Sequence, residues 1–137
     1  MTTADPGAKR RVLIVEDEAP VCVLVSDLLR DEGYEPQCAL SDKEAYAILQ
    51  QDWRGLAALV VDINLGLGTT GFDVARRARR YRSDLPVVYI TGASGRSVEQ
   101  HGVAGGVLVT KPFDRDLLVG ALREKLGHDE TAGFSAP

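Results

Sequence analysis

The chain has 137 residues, of which 45% are hydrophobic and 26% are charged, and its formal net charge is −4. This length fits one domain with a buried core, and the composition is typical of a soluble globular protein. The acidic total argues against general nucleic-acid binding, so we expect no direct DNA binding. No apolar stretch approaches the roughly 20 residues that span a bilayer, and the polar N-terminus is no secretory signal, so we expect a cytoplasmic protein without membrane contact.

The first part of the chain predicts a strand, a helix and a second strand. Residues 12–15 are apolar and rich in β-branched side chains without polar alternation, which is typical of a strand buried on both faces of a parallel sheet. Pro20 sits where a first helical turn tolerates proline, and apolar residues then recur at helical spacing as far as Leu29. A weaker strand is predicted over residues 35–39, after the break at Gly33.

The middle of the chain repeats this alternation. Residues 41–44 (SDKE) have the capping-box pattern and predict the start of a helix. An apolar strand follows at 58–61, then a helix over 71–81, then a strand at 87–90.

The last part predicts a final strand and helix. Residues 94–106 hold four glycines and few apolar anchors, so we expect that helix to be short or mobile. The strand at 107–109 follows, and Asp114 can cap a last helix. The order is therefore β-α repeated five times, which predicts an α/β fold with a doubly wound, five-stranded parallel sheet. We expect residues 1–10 and 127–137 to be loose tails.

Two cysteines, Cys22 and Cys38, fit no zinc or CxxC spacing. They could pair only if the fold brought them together. We therefore expect two ordinary buried thiols.

Polar residues stand where the predicted strands end. The first strand runs into Glu16 and Asp17, the third ends in Asp62, the fourth ends in Thr91, and the fifth runs into Lys111. Open α/β sheets bind ligands beyond the carboxyl ends of their strands. We therefore expect these acids, the hydroxyl and the ammonium on one rim.

This set of side chains favours phosphoryl transfer. Neighbouring carboxylates repel one another unless a counter-ion neutralises them, and Mg²⁺ binds such oxygens while still accepting a phosphate. A carboxylate beside the metal can act as a nucleophile and form an aspartyl-phosphate. Lys111 can supply a charge and Thr91 a hydrogen bond to the phosphoryl oxygens, which leaves Asp62 as the predicted acceptor.

Four motifs resemble, in order and spacing, the receiver domain of bacterial two-component response regulators. They are VLIVEDE at 12–18, LVVDINL at 59–65, YITG at 89–92 and KPF at 111–113. The resemblance implies a flavodoxin-like fold with strand order 2-1-3-4-5, over residues 11–126. It also implies a stand-alone, non-enzymatic receiver that exchanges a phosphoryl group with a histidine kinase or histidine phosphotransfer protein. Such a receiver signals to an unknown protein target, as a monomer or as a phosphorylation-dependent dimer.

The same resemblance implies a metal site. Asp17 and Asp62 would ligate Mg²⁺ directly, and the backbone carbonyl of Asn64 would be the third protein ligand. Glu16 would act on the metal mainly through water. Asp62 would be the phospho-acceptor.

The remaining implied roles concern the phosphoryl group. Thr91 would follow it and Lys111 would pair with it, while the bond between Lys111 and Pro112 would be cis. Receivers commonly carry an aromatic residue three positions before the lysine, where this chain has Leu108. That departure puts the usual coupling between threonine and aromatic ring in doubt.

A second departure follows Asp62. The family often has a proline four residues on and a glycine eight on, whereas this chain has Gly66 at the first place and Gly71 nine residues on. We expect a loop one residue longer and more flexible.

Three other functions compete with this hypothesis. A non-switching pseudo-receiver interaction module is favoured by Leu108 but disfavoured by the intact acids and Lys111. An aspartyl-phosphate phosphatase of the haloacid dehalogenase kind usually needs a second aspartate where this chain has Asn64. A flavin-binding flavodoxin is disfavoured because the acids after the first strand would repel the flavin phosphate.

Overall fold

A computed structural model describes residues 10–65, 70–92, 101–111 and 115–126 of the chain. Within these ranges an α-helix follows the first, second, third and fifth strands, and a short 3₁₀ turn precedes the third strand. The strands are β1 (Arg11–Val15), β2 (Glu35–Ala39), β3 (Leu56–Asp62), β4 (Val87–Thr91) and β5 (Val107–Thr110). The helices are α1 (Ala19–Asp31), α2 (Asp42–Asp52), α3 (Gly71–Tyr81) and α4 (Arg115–Leu126). Within these ranges, no helix has the length and apolarity needed to cross a membrane.

The five strands form one parallel sheet in the order β2-β1-β3-β4-β5, which confirms the predicted order. In the register, Val15 lies beside Ala39 on one side and Val61 on the other, and Thr91 lies beside Thr110. The carboxyl ends of the strands therefore meet along one rim, as predicted.

Two hydrophobic layers cover the sheet. On one face, side chains such as Leu13 and Val61 pack against α2 and α3. On the other face, side chains such as Ile14 and Val60 pack against α1 and α4. Because alternate residues of each strand enter different layers, the strands read as continuous apolar runs.

Local signals set several helix ends. Pro20 lies in the first turn of α1, and the Ser41 side chain accepts a hydrogen bond from the Glu44 amide at the start of α2. Helix α3 keeps the predicted bounds and has an unpredicted capping box between Thr70 and Asp73. Several predictions lie outside the described residues, namely both tails apart from Arg10, the flexibility of the loop after Asp62 at residues 66–69, the Asp114 cap, the cis bond at Pro112 and most of the helix at 94–106.

The expectation of two buried free thiols is wrong. Cys22 and Cys38 form a disulfide between α1 and β2, with Cα atoms 6.2 Å apart. Cys38 lies beside Ile14 in the register, so its side chain is on the face of the sheet that α1 covers. Helix α1 connects β1 to β2 and places Cys22 above Cys38. The residue Cys38 is also exposed, because β2 is an edge strand.

Candidate functional site

Three acids meet at the carboxyl rim, where β1 and β3 lie side by side. Glu16 follows β1, Asp17 comes next, and Asp62 ends β3. Each offers a carboxylate oxygen, and these oxygens all lie within 4.8 Å of one another. Glu16 is 0% and Asp62 4% exposed, whereas Asp17 faces solvent. With Lys111, these residues form what we call the acid pocket.

Glu16 is a buried carboxyl with two polar contacts. Its Oε2 accepts a hydrogen bond from the Glu18 amide at 3.1 Å, and its Oε1 accepts one from Lys111 Nζ at 3.0 Å. Burial raises the pKa of Glu16 to about 7, although the hydrogen bonds from Lys111 and Glu18 act against the rise. The negative charge of Asp62 raises it further.

Lys111 bridges the acids. Its Nζ lies 3.0 Å from Glu16 Oε1 and 3.2 Å from Asp62 Oδ2, and its backbone amide donates to the Thr91 carbonyl at 2.7 Å. Burial alone would lower the pKa of Lys111, but the hydrogen bonds and charges of Glu16 and Asp62 outweigh it and raise the pKa. The ammonium is therefore held charged between the two buried carboxylates.

Asn64 connects Asp62 to Thr91. The Asn64 amide donates to Asp62 Oδ1 at 3.0 Å, and its side-chain Nδ2 donates to Thr91 Oγ1 at 3.3 Å. Sequence reasoning used only the Asn64 backbone carbonyl and missed this side-chain bridge. Thr91 itself is 1% exposed, so its hydroxyl faces the inside of the rim.

Gly71 is a site residue that sequence reasoning noted only for its spacing. A Cβ on Gly71 would lie 2.3 Å from the Asp62 carbonyl oxygen, which no side chain tolerates. Its amide also donates to the Ile63 carbonyl at 2.8 Å. Only glycine lets the start of α3 approach the strand end that carries Asp62, and the close approach becomes visible only in three dimensions.

These residues surround an open cleft of about 470 Å³. It is lined by Asp17, Glu18, Asp62, Asn64, Gly92 and Lys111. All six predicted site residues therefore lie in this rim, either lining the cleft or, for Glu16 and Thr91, buried beside its walls.

An aromatic ring lies beside Leu108, but on the neighbouring strand. Tyr89 pairs with Leu108 in the register and is 0% exposed. Its hydroxyl accepts a hydrogen bond from the Val103 amide at 3.0 Å, and its ring lies 5.2 Å from that of Phe72. Tyr89 is two residues before Thr91 and so on the same face of β4. We call Tyr89, Leu108, Phe72 and Val103 the Tyr89 cluster.

Known proteins of one family resemble this chain. The family model described as "Response regulator receiver domain" matches residues 12–123. The transcriptional regulatory protein TcrA of Mycobacterium tuberculosis is 34% identical over 115 residues, which are 82% of this chain and 44% of TcrA. The phosphate regulon regulator PhoB of Pseudomonas aeruginosa is 30% identical over 132 residues, covering 93% of this chain and 56% of PhoB. The chain thus spans about half the length of these curated relatives.

Solved structures agree. A response regulator receiver protein from Sinorhizobium medicae matches with a TM-score of 0.81 and 27% identity, covering 86% of this chain and 94% of that one. The response regulator TrrA from Thermotoga maritima, solved with Mg²⁺-BeF, matches with a TM-score of 0.75 and 28% identity, covering 85% and 99%. The chain therefore belongs to the response regulator receiver family of two-component signal transduction, whose members are phospho-acceptors and not enzymes in the usual sense.

Proposed function

We propose that this receiver accepts a phosphoryl group on Asp62 from a histidine kinase or a histidine phosphotransfer protein. The observation that carries the proposal is the meeting of three carboxylate oxygens within 4.8 Å, with the Lys111 ammonium bonded to two of the acids. Burial of the Glu16 and Asp62 carboxylates costs stability, and charged groups kept buried in this way are typical of functional sites.

The donor set fits Mg²⁺. Glu16, Asp17 and Asp62 offer hard carboxylate oxygens beside an open cleft, and they carry more negative charge than Lys111 offsets. Asp17, Asp62 and the backbone carbonyl of Asn64 would hold the ion directly, and Glu16 would act through water. When bound, Mg²⁺ would neutralise phosphoryl oxygens as negative charge moves onto them.

The chain's own residues position the reaction. The Asn64 amide fixes Asp62 Oδ1, which orients the carboxylate so that one oxygen can attack phosphorus. A phosphorus–oxygen bond then forms at Asp62 as the bond from phosphorus to the donor's leaving group breaks. Lys111 stabilises the added charge, and Thr91 donates a hydrogen bond to a phosphoryl oxygen once it leaves Asn64.

The proposal extends to the protein's setting. We propose that residues 11–126 act as a cytoplasmic receiver whose phosphorylated form contacts a protein target, without binding DNA directly. The chain would act as a monomer or as a dimer formed on phosphorylation. The tails at 1–10 and 127–137 would lie outside the receiver.

Phosphorylation tests the proposal directly. The protein is incubated with acetyl phosphate and Mg²⁺, and its intact mass is measured beside that of Asp62→Asn. We expect one added phosphoryl group on the wild type and none on the variant. Asp27→Asn is the matched control, because Asp27 is exposed on α1 and pairs only with Arg30 among the described residues. Equal mass gain in the wild type and Asp62→Asn would refute the assignment of Asp62.

The alternative is a receiver that does not switch, and Leu108 in place of an aromatic residue favours it. Amide spectra recorded with beryllofluoride and Mg²⁺ separate the two functions. A switching receiver shifts resonances beyond the acid pocket, whereas an interaction module shifts only those that touch the ligand.

A further inference from the structure

We propose that Cys22 and Cys38 form a thiol–disulfide exchange site, in which small thiols and disulfides react at Cys38. We further propose that the state of this bridge sets the order of the loop that carries Glu16 and Asp17. The second part rests on the proposed function of the acid pocket, whereas the first part does not.

The two sulfur atoms differ in access. Cys38 is exposed on the edge strand β2, whereas Cys22 lies in the first turn of α1 and is 1% exposed. Thiol–disulfide exchange requires the attacking sulfur to reach its target in line with the bond that breaks. Only Cys38 offers that approach, so it is the entry point and Cys22 is the resolving partner.

Both sulfur atoms also have polar neighbours that suit the reduced pair. Ser26 Oγ lies 3.1 Å from Cys38 Sγ, where its hydroxyl can donate to a thiolate. The Ile14 carbonyl lies 3.9 Å from Cys22 Sγ, where it can accept from a thiol. Polar partners for both sulfur atoms of the reduced pair are therefore already in place beside the bridge.

The exchange balances as two successive displacements. A small thiolate attacks Cys38 Sγ, the bond to Cys22 breaks, and Cys22 leaves as a thiolate that solvent protonates. A second small thiolate attacks the outer sulfur of the mixed disulfide and releases Cys38. Two small thiols are thus oxidised to their disulfide while the bridge gains two electrons and two protons, and a small disulfide reverses both steps.

A short chain of hydrogen bonds joins the bridge to the acid pocket. The Cys22 amide donates to the Glu18 carbonyl at 3.1 Å, and the Glu18 amide donates to Glu16 Oε2 at 3.1 Å. The Glu16 amide donates at 3.0 Å to the carbonyl of Ala39, the residue after Cys38. The acid loop is therefore anchored at both ends beside the bridge. Opening the bridge removes the covalent link between α1 and β2 and leaves hydrogen bonds and apolar packing to hold them there, so the loop becomes less ordered.

Single cysteine variants test the entry point. Folded Cys22→Ser and Cys38→Ser proteins are reduced, desalted and treated with oxidised glutathione, and their intact masses are followed over time. We expect the variant that keeps Cys38 to gain one glutathione, and the variant that keeps Cys22 to gain it only after unfolding in urea. Equal rates in the two folded variants would overturn the proposal.

A pulse of maleimide on the reduced wild type gives the same answer without any substitution. Peptide mapping is expected to find Cys38 labelled before Cys22. Labelling in the opposite order would overturn the assignment even if one serine variant failed to fold.

Magnesium titrations test the coupling. Amide resonances of the acid loop are followed with Mg²⁺ for oxidised and reduced wild type and for Cys22→Ala/Cys38→Ala. We expect Mg²⁺ to bind roughly threefold more tightly to the oxidised protein, because its loop is already ordered. The Mg²⁺ affinity of the double variant should be the same under oxidising and reducing conditions. Equal affinities would overturn the coupling and leave the proposed function intact. Absence of binding in both states would overturn the proposed function and the coupling together.

Discussion

The acid pocket and the Tyr89 cluster lie in the same sheet but are held together differently. In the acid pocket, the Lys111 ammonium joins two buried carboxylates that stand at the ends of β1 and β3. In the Tyr89 cluster, the Tyr89 ring packs on Phe72 and its hydroxyl accepts one hydrogen bond from the Val103 amide. The acid pocket therefore depends on residues that stand at strand ends. The Tyr89 cluster depends on an aromatic ring that β4 supplies in place of β5.

Gly71→Ala should reduce stability most, because its Cβ would clash with the backbone that carries Asp62 in the acid pocket. The new Cβ would meet the Asp62 carbonyl oxygen at 2.3 Å, so the start of α3 must move away from β3. We expect the free energy of unfolding to fall by about 4 kcal/mol in urea titrations.

Gly120→Ala is the matched control. Gly120 lies inside α4, and its added Cβ would meet nothing within 4 Å. Alanine is the better helix former, so we expect about 0.5 kcal/mol of added stability. A similar loss in both variants would mean that the close approach at Asp62 is not what Gly71 provides.

Lys111→Met should cause the second-largest loss of stability. The variant leaves Glu16 and Asp62 buried without their shared cation, and breaking such a pair costs about 3 kcal/mol. We expect a smaller loss at pH 6 than at pH 8, because Glu16 can then take up a proton. Urea titrations at both pH values measure the difference.

The exposed Lys43 at the start of α2 supplies the control for this measurement. Lys43→Met should change the free energy of unfolding by less than about 0.5 kcal/mol at either pH. If Lys43→Met loses as much stability as Lys111→Met, the loss reflects the change in net charge and not the contacts of the acid pocket.

The sequence was a good guide to the acid pocket and a poor one to contacts between elements. Strand ends in a parallel sheet must share a rim, so Glu16, Asp62 and Lys111 could be placed together from apolar runs and the residues that follow them. The strand order came from the family resemblance, and the fold confirms it.

Other contacts depend on register and packing, which no local pattern records. The Cys22–Cys38 bridge needs the pairing of Cys38 with Ile14, and the place of Tyr89 needs its pairing with Leu108. The absence of an aromatic residue at position 108 was visible in the sequence. That a ring on β4 lies beside that position was not.

The pH dependence of stability tests the acid pocket alone, through the titration of Glu16. The pKa of Glu16 is raised from 4.5 to about 7 by burial, so the folded state binds more protons than the unfolded state between these values. Stability is therefore highest at the lower end and falls as the pH rises through this window. We expect a fall of about 2 kcal/mol between pH 5 and pH 7.5, because most of the effect of the raised pKa of Glu16 is lost within this range.

Glu16→Gln removes this titration. Its stability should stay nearly constant over the same range, as measured by urea unfolding without Mg²⁺. A wild-type curve that rises between pH 5 and pH 7.5 would contradict the raised pKa.

Tyr89→Phe should have the smallest effect on stability and the most local one. The ring and its contact with Phe72 remain, but the Val103 amide loses its acceptor, which costs about 1 kcal/mol. Tyr46→Phe is the control, because the Tyr46 ring lies 4.3 Å from the Arg77 guanidinium and this contact does not need the hydroxyl.

Phosphorylation of Tyr89→Phe then distinguishes the two regions. The Tyr89 contacts found among the described residues are with Phe72 and Val103 and not with the acids, so we expect acetyl phosphate to modify Asp62 as readily as in the wild type. The amide shift of Val103 on addition of beryllofluoride and Mg²⁺ should shrink, since the hydroxyl no longer links Val103 to β4. An unchanged Val103 shift would mean that any signal from Thr91 leaves the acid pocket by a route that does not pass through Tyr89.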